Sequence, residues 1–72
     1  MDAFAALSDP TRRRIVEKLA TGERSFGEIA VDFDISAPAV SQHLKVLRRA
    51  GVVAVRRDAR DRRNNHPFLP AA

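Results

Sequence analysis

The sequence predicts a small, mainly α-helical domain that ends in a short β segment. Asp9, Ser25 and Ser36 are good N-cap residues, and each stands before a stretch in which apolar residues recur at helical spacing. Residues 52–55 read Val-Val-Ala-Val, a β-prone run that predicts one strand. The 72 residues suffice for one domain with a thin core, so we expect oligomerisation to stabilise it further.

The first part of the chain predicts two helices. Residues 3–7 form an apolar segment that is too short to be stable alone and must pack on another element. Asp9 and Pro10 form a helix start, and the helix that they open runs to about Ala20. Its buried side is predicted to consist of Ile15, Val16 and Leu19. Residues 12–14 are all arginine, which favours a solvated helix start over the alternative of a phosphate contact.

Two further helices joined by a tight turn follow. Ser25 and Glu28 have the spacing of a capping box, which opens a helix of about eight residues. Its core candidates are Phe26, Ile29 and Phe33. Apolar Ile35 separates this helix from the next, which begins at the N-cap Ser36 and ends at Gly51. This connection of two short helices matches the helix-turn-helix plan, in which the second helix covers residues 36–50.

The helix of residues 36–50 has two different faces. At about 100° per residue, one stripe consists of Val40, Leu44 and Leu47, with His43 and Ala50 at its edge. The opposite side consists of Pro38, Ser41, Gln42, Lys45 and Arg49. From this helix alone, a solvated surface explains the polar face as well as a binding surface does.

Charge is distributed unevenly along the chain. Residues 1–36 contain five Lys or Arg and seven Asp or Glu, whereas residues 37–72 contain eight and two, so the net charge changes from −2 to +6. A basic field of this kind attracts a polyanion through counterion release. Nucleic acid is the first candidate partner, and an anionic membrane surface is the second.

The residues after Gly51 predict a strand followed by a basic turn. Residues 52–57 form the strand, and residues 58–63 contain three arginines. In this position they suggest a wing, which is a hairpin that lies along the minor groove or the backbone of DNA, with a basic surface loop as the alternative. Residues 64–72 contain two prolines and little alternation of apolar and polar residues. We therefore expect a DNA-binding domain over residues 1–63 and an extended or disordered tail over residues 64–72.

Composition argues against several other classes of protein. Cysteine, tyrosine and tryptophan are absent, and no glycine-rich phosphate loop is present, so we expect no enzyme and no cofactor. Ser41 and His43 lie on different helix faces and do not form a nucleophile and base pair. The absence of a membrane-length apolar run and of a secretory signal pattern favours a cytoplasmic location with no membrane partner.

Three segments resemble one known family. Residues 4–15 (FAALSDPTRRRI), 25–30 (SFGEIA) and 36–53 (SAPAVSQHLKVLRRAGVV) are similar to the ArsR family of winged helix-turn-helix transcriptional regulators. The segment SDPTRR resembles its metal-independent autorepressor branch in particular. The resemblance implies a mainly α winged helix-turn-helix fold and a homodimeric bacterial repressor of double-stranded DNA. The two subunits would each contribute one recognition helix, and the two helices would lie in successive major grooves.

The resemblance also implies which residues contact DNA. The reading region would consist of Ser36, Ala37, Pro38, Ser41, Gln42, His43 and Lys45. The contacts to the DNA backbone would come from Arg49, Arg56, Arg57, Arg60, Arg62 and Arg63. Side-chain chemistry supports Gln42 best, because an amide makes a bidentate contact to adenine, while Ser41 and Lys45 suit a base or a phosphate. His43 suits packing or a phosphate contact more than base reading.

Two features of the family are not found in this sequence. The third predicted helix lacks the cysteine of the thiol-based metal sensors, and the two histidines are far apart in sequence, so we expect no metal site and no small-molecule ligand. The C-terminal helix that normally builds the dimer interface is not visible, so we expect dimerisation through the N-terminal helices. The alternative function is an interaction module that heterodimerises with a full-length relative and modulates its DNA binding. RNA binding is the weaker hypothesis, because the only aromatic residues are four phenylalanines. Most of them are needed for the core, so no aromatic surface remains on which RNA bases could stack.

Overall fold

The structure is a computed structural model that describes residues 2–70, apart from the side chain of Arg62. Four α-helices are followed by two antiparallel strands that are connected through a short 3₁₀ turn. The helices are α1 (Ala3–Ala6), α2 (Pro10–Ala20), α3 (Phe26–Phe33) and α4 (Ala37–Arg49). The strands are β1 (Ala54–Arg56) and β2 (His66–Phe68), and the 3₁₀ turn covers Arg62–Asn64. No helix within residues 2–70 is long and apolar enough to cross a membrane.

The predicted helix starts are confirmed by their hydrogen bonds. The Asp9 carboxylate accepts from the backbone N–H of Arg12 at 3.0 Å, and the Ser36 hydroxyl accepts from that of Ala39 at 3.2 Å. Ser25 and Glu28 form the complete capping box, with the Ser25 N–H donating to the Glu28 carboxylate at 2.8 Å. Each bond satisfies a backbone donor that the first turn of a helix leaves without a partner, so the three helices begin where the side chains dictate.

The turn between α3 and α4 is fixed by backbone geometry. Asp34 ends α3 in the left-handed region, with φ at 52°, and the Ile35 N–H donates to the Ala30 carbonyl at 3.1 Å. Ile35 is half-buried and packs against the core, as predicted. Gly51 ends α4 at φ 77°, a conformation that L side chains rarely adopt. The direction in which α4 leaves the turn is therefore set on both sides.

One apolar core joins all four helices. The predicted stripes are confirmed for α2 and α4, and Val16, Phe26 and Phe33 lie half-buried at the edge of the core. The buried hydrophobic residues that form this core are Ala6, Ile15, Leu19, Ile29, Val40, Leu44, Leu47 and Val53. Because α4 contributes three of them, its inner face is held firmly and its outer face is fixed in direction.

The arginines at the start of α2 hold α1 in place. The Arg12 Nε donates to the Ala6 carbonyl at 2.6 Å, and one Arg13 Nη donates to the carbonyls of Leu7 and Ser8 at 2.9 and 3.1 Å. These carbonyls lie at the C-terminal end of α1, where a helix lacks internal partners. The prediction of a solvated helix start therefore holds only in part, because the guanidinium groups of Arg12 and Arg13 donate hydrogen bonds to backbone carbonyls.

The wing, residues 54–68, corrects two predictions. The strand is shorter than predicted, because the N–H groups of Val52 and Val53 donate back to the Leu47 carbonyl and close the end of α4. The stretch 64–72, expected to be an extended or disordered tail outside the domain, supplies β2, whose Pro67 pairs with Val55 and is buried. Both strands of a two-stranded sheet are edge strands, so proline is tolerated there. Residues 71–72 lie outside the described part of the chain.

Hydrogen bonds attach the wing to α3. The backbone N–H of Phe26 donates to the Asn65 carbonyl at 2.8 Å, and the Asn65 side-chain oxygen accepts from the Asp58 N–H at 2.7 Å. The carboxylates of Asp58 and Asp61 accept from backbone N–H groups within the loop. The two acidic residues of the wing therefore shape its loop, and the base of the wing is fixed against the helix-turn-helix.

Candidate nucleic-acid interface

The outer face of α4 presents most of the residues that we predicted to read DNA. Six of them are exposed and one, His43, is half-buried. The exposed residues are Ser36, Ala37, Pro38, Ser41, Gln42 and Lys45. The buried stripe of α4 lies on the opposite side, so burial of the apolar face orients the polar one toward solvent.

The chemistry of this face changes along the helix. Small apolar side chains, Ala37 and Pro38, occupy the first turn, and the hydroxyl of Ser41 and the amide of Gln42 follow in the middle. Cationic side chains stand in the last turns, and Arg49 is exposed there. The apolar, hydrogen-bonding and cationic groups are therefore separated along one helix axis.

A basic hollow connects α4 to the wing. Its volume is about 210 Å³, and Ser41, Lys45, Arg48 and Arg57 contribute to its lining. No carboxylate lines it among the described residues. Three cations around one hollow suit a phosphate group. Arg48 is the contributor that we missed in the sequence, because its place in the last helical turn suggested only an interaction with the helix dipole; its spacing of three residues from Lys45 was the available signal.

The other predicted backbone residues divide into two groups. Arg60 and Arg63 are exposed on the wing, and Arg57 is exposed beside the basic hollow. Arg56 instead forms an ion pair with Glu23, with 3.0 Å between Nη1 and Oε1, and both side chains are more than half exposed. An exposed pair of this kind is weak, so it competes only modestly with another anion. The side chain of Arg62 lies outside the described part of the structure.

His43 lies near the start of α2. The pKa of Asp9 is lowered mainly by the backbone N–H of Arg12, and the positive charges of Arg12 and His43 add to the effect. The half-buried position of His43 beside another helix agrees with a packing role more than with base reading. Within residues 2–70, no group of three or more potential metal ligands lies close enough together to bind an ion.

A second groove borders the reading face. It lies between α3, the first half of α4 and the base of the wing, with a volume of about 560 Å³. Its lining includes Phe26, Ala30, Val31, Pro38, Gln42 and Arg63. We did not predict this groove, because the segments that line it are far apart in the sequence.

Comparisons with known proteins find relatives for most of this chain. The family described as bacterial regulatory protein, arsR family, matches residues 9–55. The HTH-type transcriptional regulator Rv2034 of Mycobacterium tuberculosis is 57% identical over 54 residues, which cover 75% of this chain and 50% of that protein. The transcriptional repressor SdpR of Bacillus subtilis is 45% identical over 53 residues, which cover 74% of this chain and 59% of that protein. The chain thus spans little more than half the length of these relatives.

Solved structures give the same result for the fold. A crystal structure of a possible transcriptional regulator for arsenical resistance has a TM-score of 0.85 and 38% identity, and the match covers 97% of this chain and 70% of that one. The transcriptional repressor BigR from Xylella fastidiosa has a TM-score of 0.80 and 35% identity, with 94% and 66% covered. The predicted winged helix-turn-helix fold and the family resemblance are both confirmed. This chain belongs to the arsR family of bacterial regulatory proteins.

Proposed function

We propose that this chain is the DNA-binding part of a sequence-specific transcriptional repressor that acts on double-stranded DNA. The observation that carries the proposal is the outer face of α4, where exposed Ser41, Gln42 and Lys45 continue into the basic hollow shared with Arg57. A helix of this kind enters the major groove with its first residues at the base edges. The cations of the hollow and of the wing would then contact phosphates.

Base reading is assigned to the N-terminal half of α4. Gln42 would make a bidentate contact with adenine through N6 and N7, and Ser41 and Lys45 would contact a base or a phosphate. Arg57 lines the basic hollow, where a DNA phosphate is attracted regardless of the base sequence. The proposal thus separates one residue that sets base preference from one that sets overall affinity.

Dimerisation is assigned to the N-terminal helices. Phe4 on α1 is 92% exposed, although α1 itself is docked on the core through Ala6. An aromatic side chain in this position suits contact with a second copy of the chain. A homodimer would place two α4 helices on successive major grooves, and such a regulator acts in the cytoplasm without enzymatic activity or a cofactor.

Selection from a random library of DNA duplexes tests this function. We expect band-shift selection to enrich an inverted repeat whose half-sites lie about one helical turn apart. Gln42→Ala should relax the preference at one base pair and cost about 1–3 kcal/mol on the selected site. Arg57→Ala should weaken binding to all sequences alike and reduce the slope of log affinity against log salt concentration by about one. Selection that enriches no sequence would overturn the proposal.

A further inference from the structure

The apolar part of the groove beside the reading face has no role in the contacts assigned to Ser41, Gln42 and Lys45. On α3 it presents Val31, which is 78% exposed, and on α4 it presents the exposed side chains of Ala37 and Pro38. None of these three side chains carries a hydrogen-bonding group. They form one apolar surface at the N-terminal end of α4, whereas the cationic side chains of α4 lie toward its C-terminal end.

The groove and the reading face are continuous. Ser41 and Gln42 line the groove and also belong to the outer face of α4. Arg63 also lines the groove, from the wing side. A ligand in the groove would therefore contact apolar side chains, the amide of Gln42 and the guanidinium group of Arg63. Duplex DNA offers this combination, because a nucleotide carries a base edge and an anionic phosphate.

Thymine supplies the matching apolar feature. Its C5-methyl group is the apolar mark in the major groove, and side chains such as alanine contact it directly. Pro38 and Gln42 lie four residues apart on the same side of α4, which corresponds to about 6 Å along the helix axis. Successive base pairs rise by about 3.4 Å, so for a helix that lies along the major groove this separation spans at most about two base pairs.

We propose that Val31, Ala37 and Pro38 form a thymine-reading surface, which receives a C5-methyl group within two base pairs of the base read by Gln42. The proposal rests on the proposed DNA-binding function and adds a second specificity determinant to it. The groove is larger than a methyl group, and Arg63, which also lines it, is available to contact a nearby phosphate. Val31 thereby gives α3, the first helix of the helix-turn-helix, a part in base recognition.

Removal of single methyl groups tests the proposal. On the selected operator, each thymine is replaced in turn by deoxyuridine, which keeps every hydrogen bond and lacks only the methyl group. Binding of the full chain is measured by fluorescence anisotropy. We expect one thymine per half-site, within two base pairs of the Gln42-dependent position, at which the replacement weakens binding about fourfold. Replacement of the other thymines should change affinity by less than about twofold.

Variants of the groove identify where the methyl group is read. Val31→Ser and Pro38→Ser should reduce the ratio of affinities for thymine and deoxyuridine toward one, because each replaces apolar surface with a hydroxyl. Ala20→Ser, at an exposed alanine on α2, is the control and should leave the ratio unchanged. Both serine changes in the groove are at exposed positions, so folding should be preserved.

The outcomes separate this proposal from the function on which it rests. If deoxyuridine is bound as well as thymine at every position while Gln42→Ala still relaxes base preference, the thymine-reading surface is wrong and the DNA-binding function stands. A thymine preference that survives both groove variants also overturns it, because the methyl group is then read elsewhere. A chain with no sequence preference at all refutes the proposed function itself.

Discussion

Leu44→Ala tests the assignment of the two faces of α4 most sharply. Leu44 is 1% exposed and lies in the core shared by the four helices. Removal of a buried leucine side chain costs about 2–5 kcal/mol, through lost burial and through the cavity that remains. A value of about 3 kcal/mol is expected, because a core this small relaxes partly around the cavity.

This cost is large for a domain of 72 residues. Stabilities of about 0.05–0.15 kcal/mol per residue give a total of roughly 4–11 kcal/mol. The entropy of unfolding is about 0.15 kcal/mol/K for this length, so 3 kcal/mol lowers Tm by about 20 °C. Leu44→Ala should therefore remain folded at low temperature and unfold well below the parent chain.

Urea and thermal unfolding followed by circular dichroism measure the effect, with Lys45→Ala as the matched control on the next residue. Lys45 is exposed, and alanine is a good helix former, so its stability should change by less than about 0.5 kcal/mol. DNA binding should show the reverse order at a temperature where both variants are folded. The assignment of the faces is refuted if Leu44→Ala lowers the free energy of unfolding by less than about 1 kcal/mol, or if Lys45→Ala lowers it by more than about 1 kcal/mol.

Three further predictions concern helix caps, the wing and α1. The pKa of Glu28 is lowered by the Ser25 backbone N–H and hydroxyl, and that of Asp9 by the Arg12 N–H. These bonds stabilise the fold at pH values above the ordinary pKa values of 4.5 and 3.8, and they are lost as the pH falls through the lower pKa values of the folded state. The midpoint of urea unfolding should therefore fall in this acidic range, and it should fall less in Glu28→Gln. Asn65→Ala should loosen the wing, seen as faster amide exchange at Asp58, at a cost of about 1 kcal/mol. Arg12→Gln should cost about 1.5–3 kcal/mol and speed amide exchange in α1, and unchanged exchange would contradict its role.

Local chemistry explains which parts of the fold could be predicted. The caps at Asp9, Ser25 and Ser36 and the stripe of Val40, Leu44 and Leu47 depend on residues within a few positions of each other, and the structure confirms them. The pairing of β2 depends on partners ten or more residues away, and Pro67 argued against a strand because its edge position was not visible in the sequence.

The candidate site shows the same division. The outer face of α4 follows from the helical period, so Ser41, Gln42 and Lys45 could be placed on it in advance. The basic hollow needs α4 and the wing together, and this is why the part of Arg48 was missed. The backbone contacts of Arg12 and Arg13 were missed for a similar reason, since their acceptors belong to a helix whose docking the sequence does not specify.

The central claim is that α4 reads the major groove through Gln42. The most direct measurement replaces the adenine that Gln42→Ala ceases to select with 7-deazaadenine, which lacks the N7 acceptor. Binding of both duplexes by the parent chain and by Gln42→Ala is then compared. The parent chain should lose several-fold in affinity, within the roughly 1–3 kcal/mol of a bidentate contact, and Gln42→Ala should bind the two duplexes equally. Equal binding of both duplexes by the parent chain, or an equal loss in the variant, would contradict the claim.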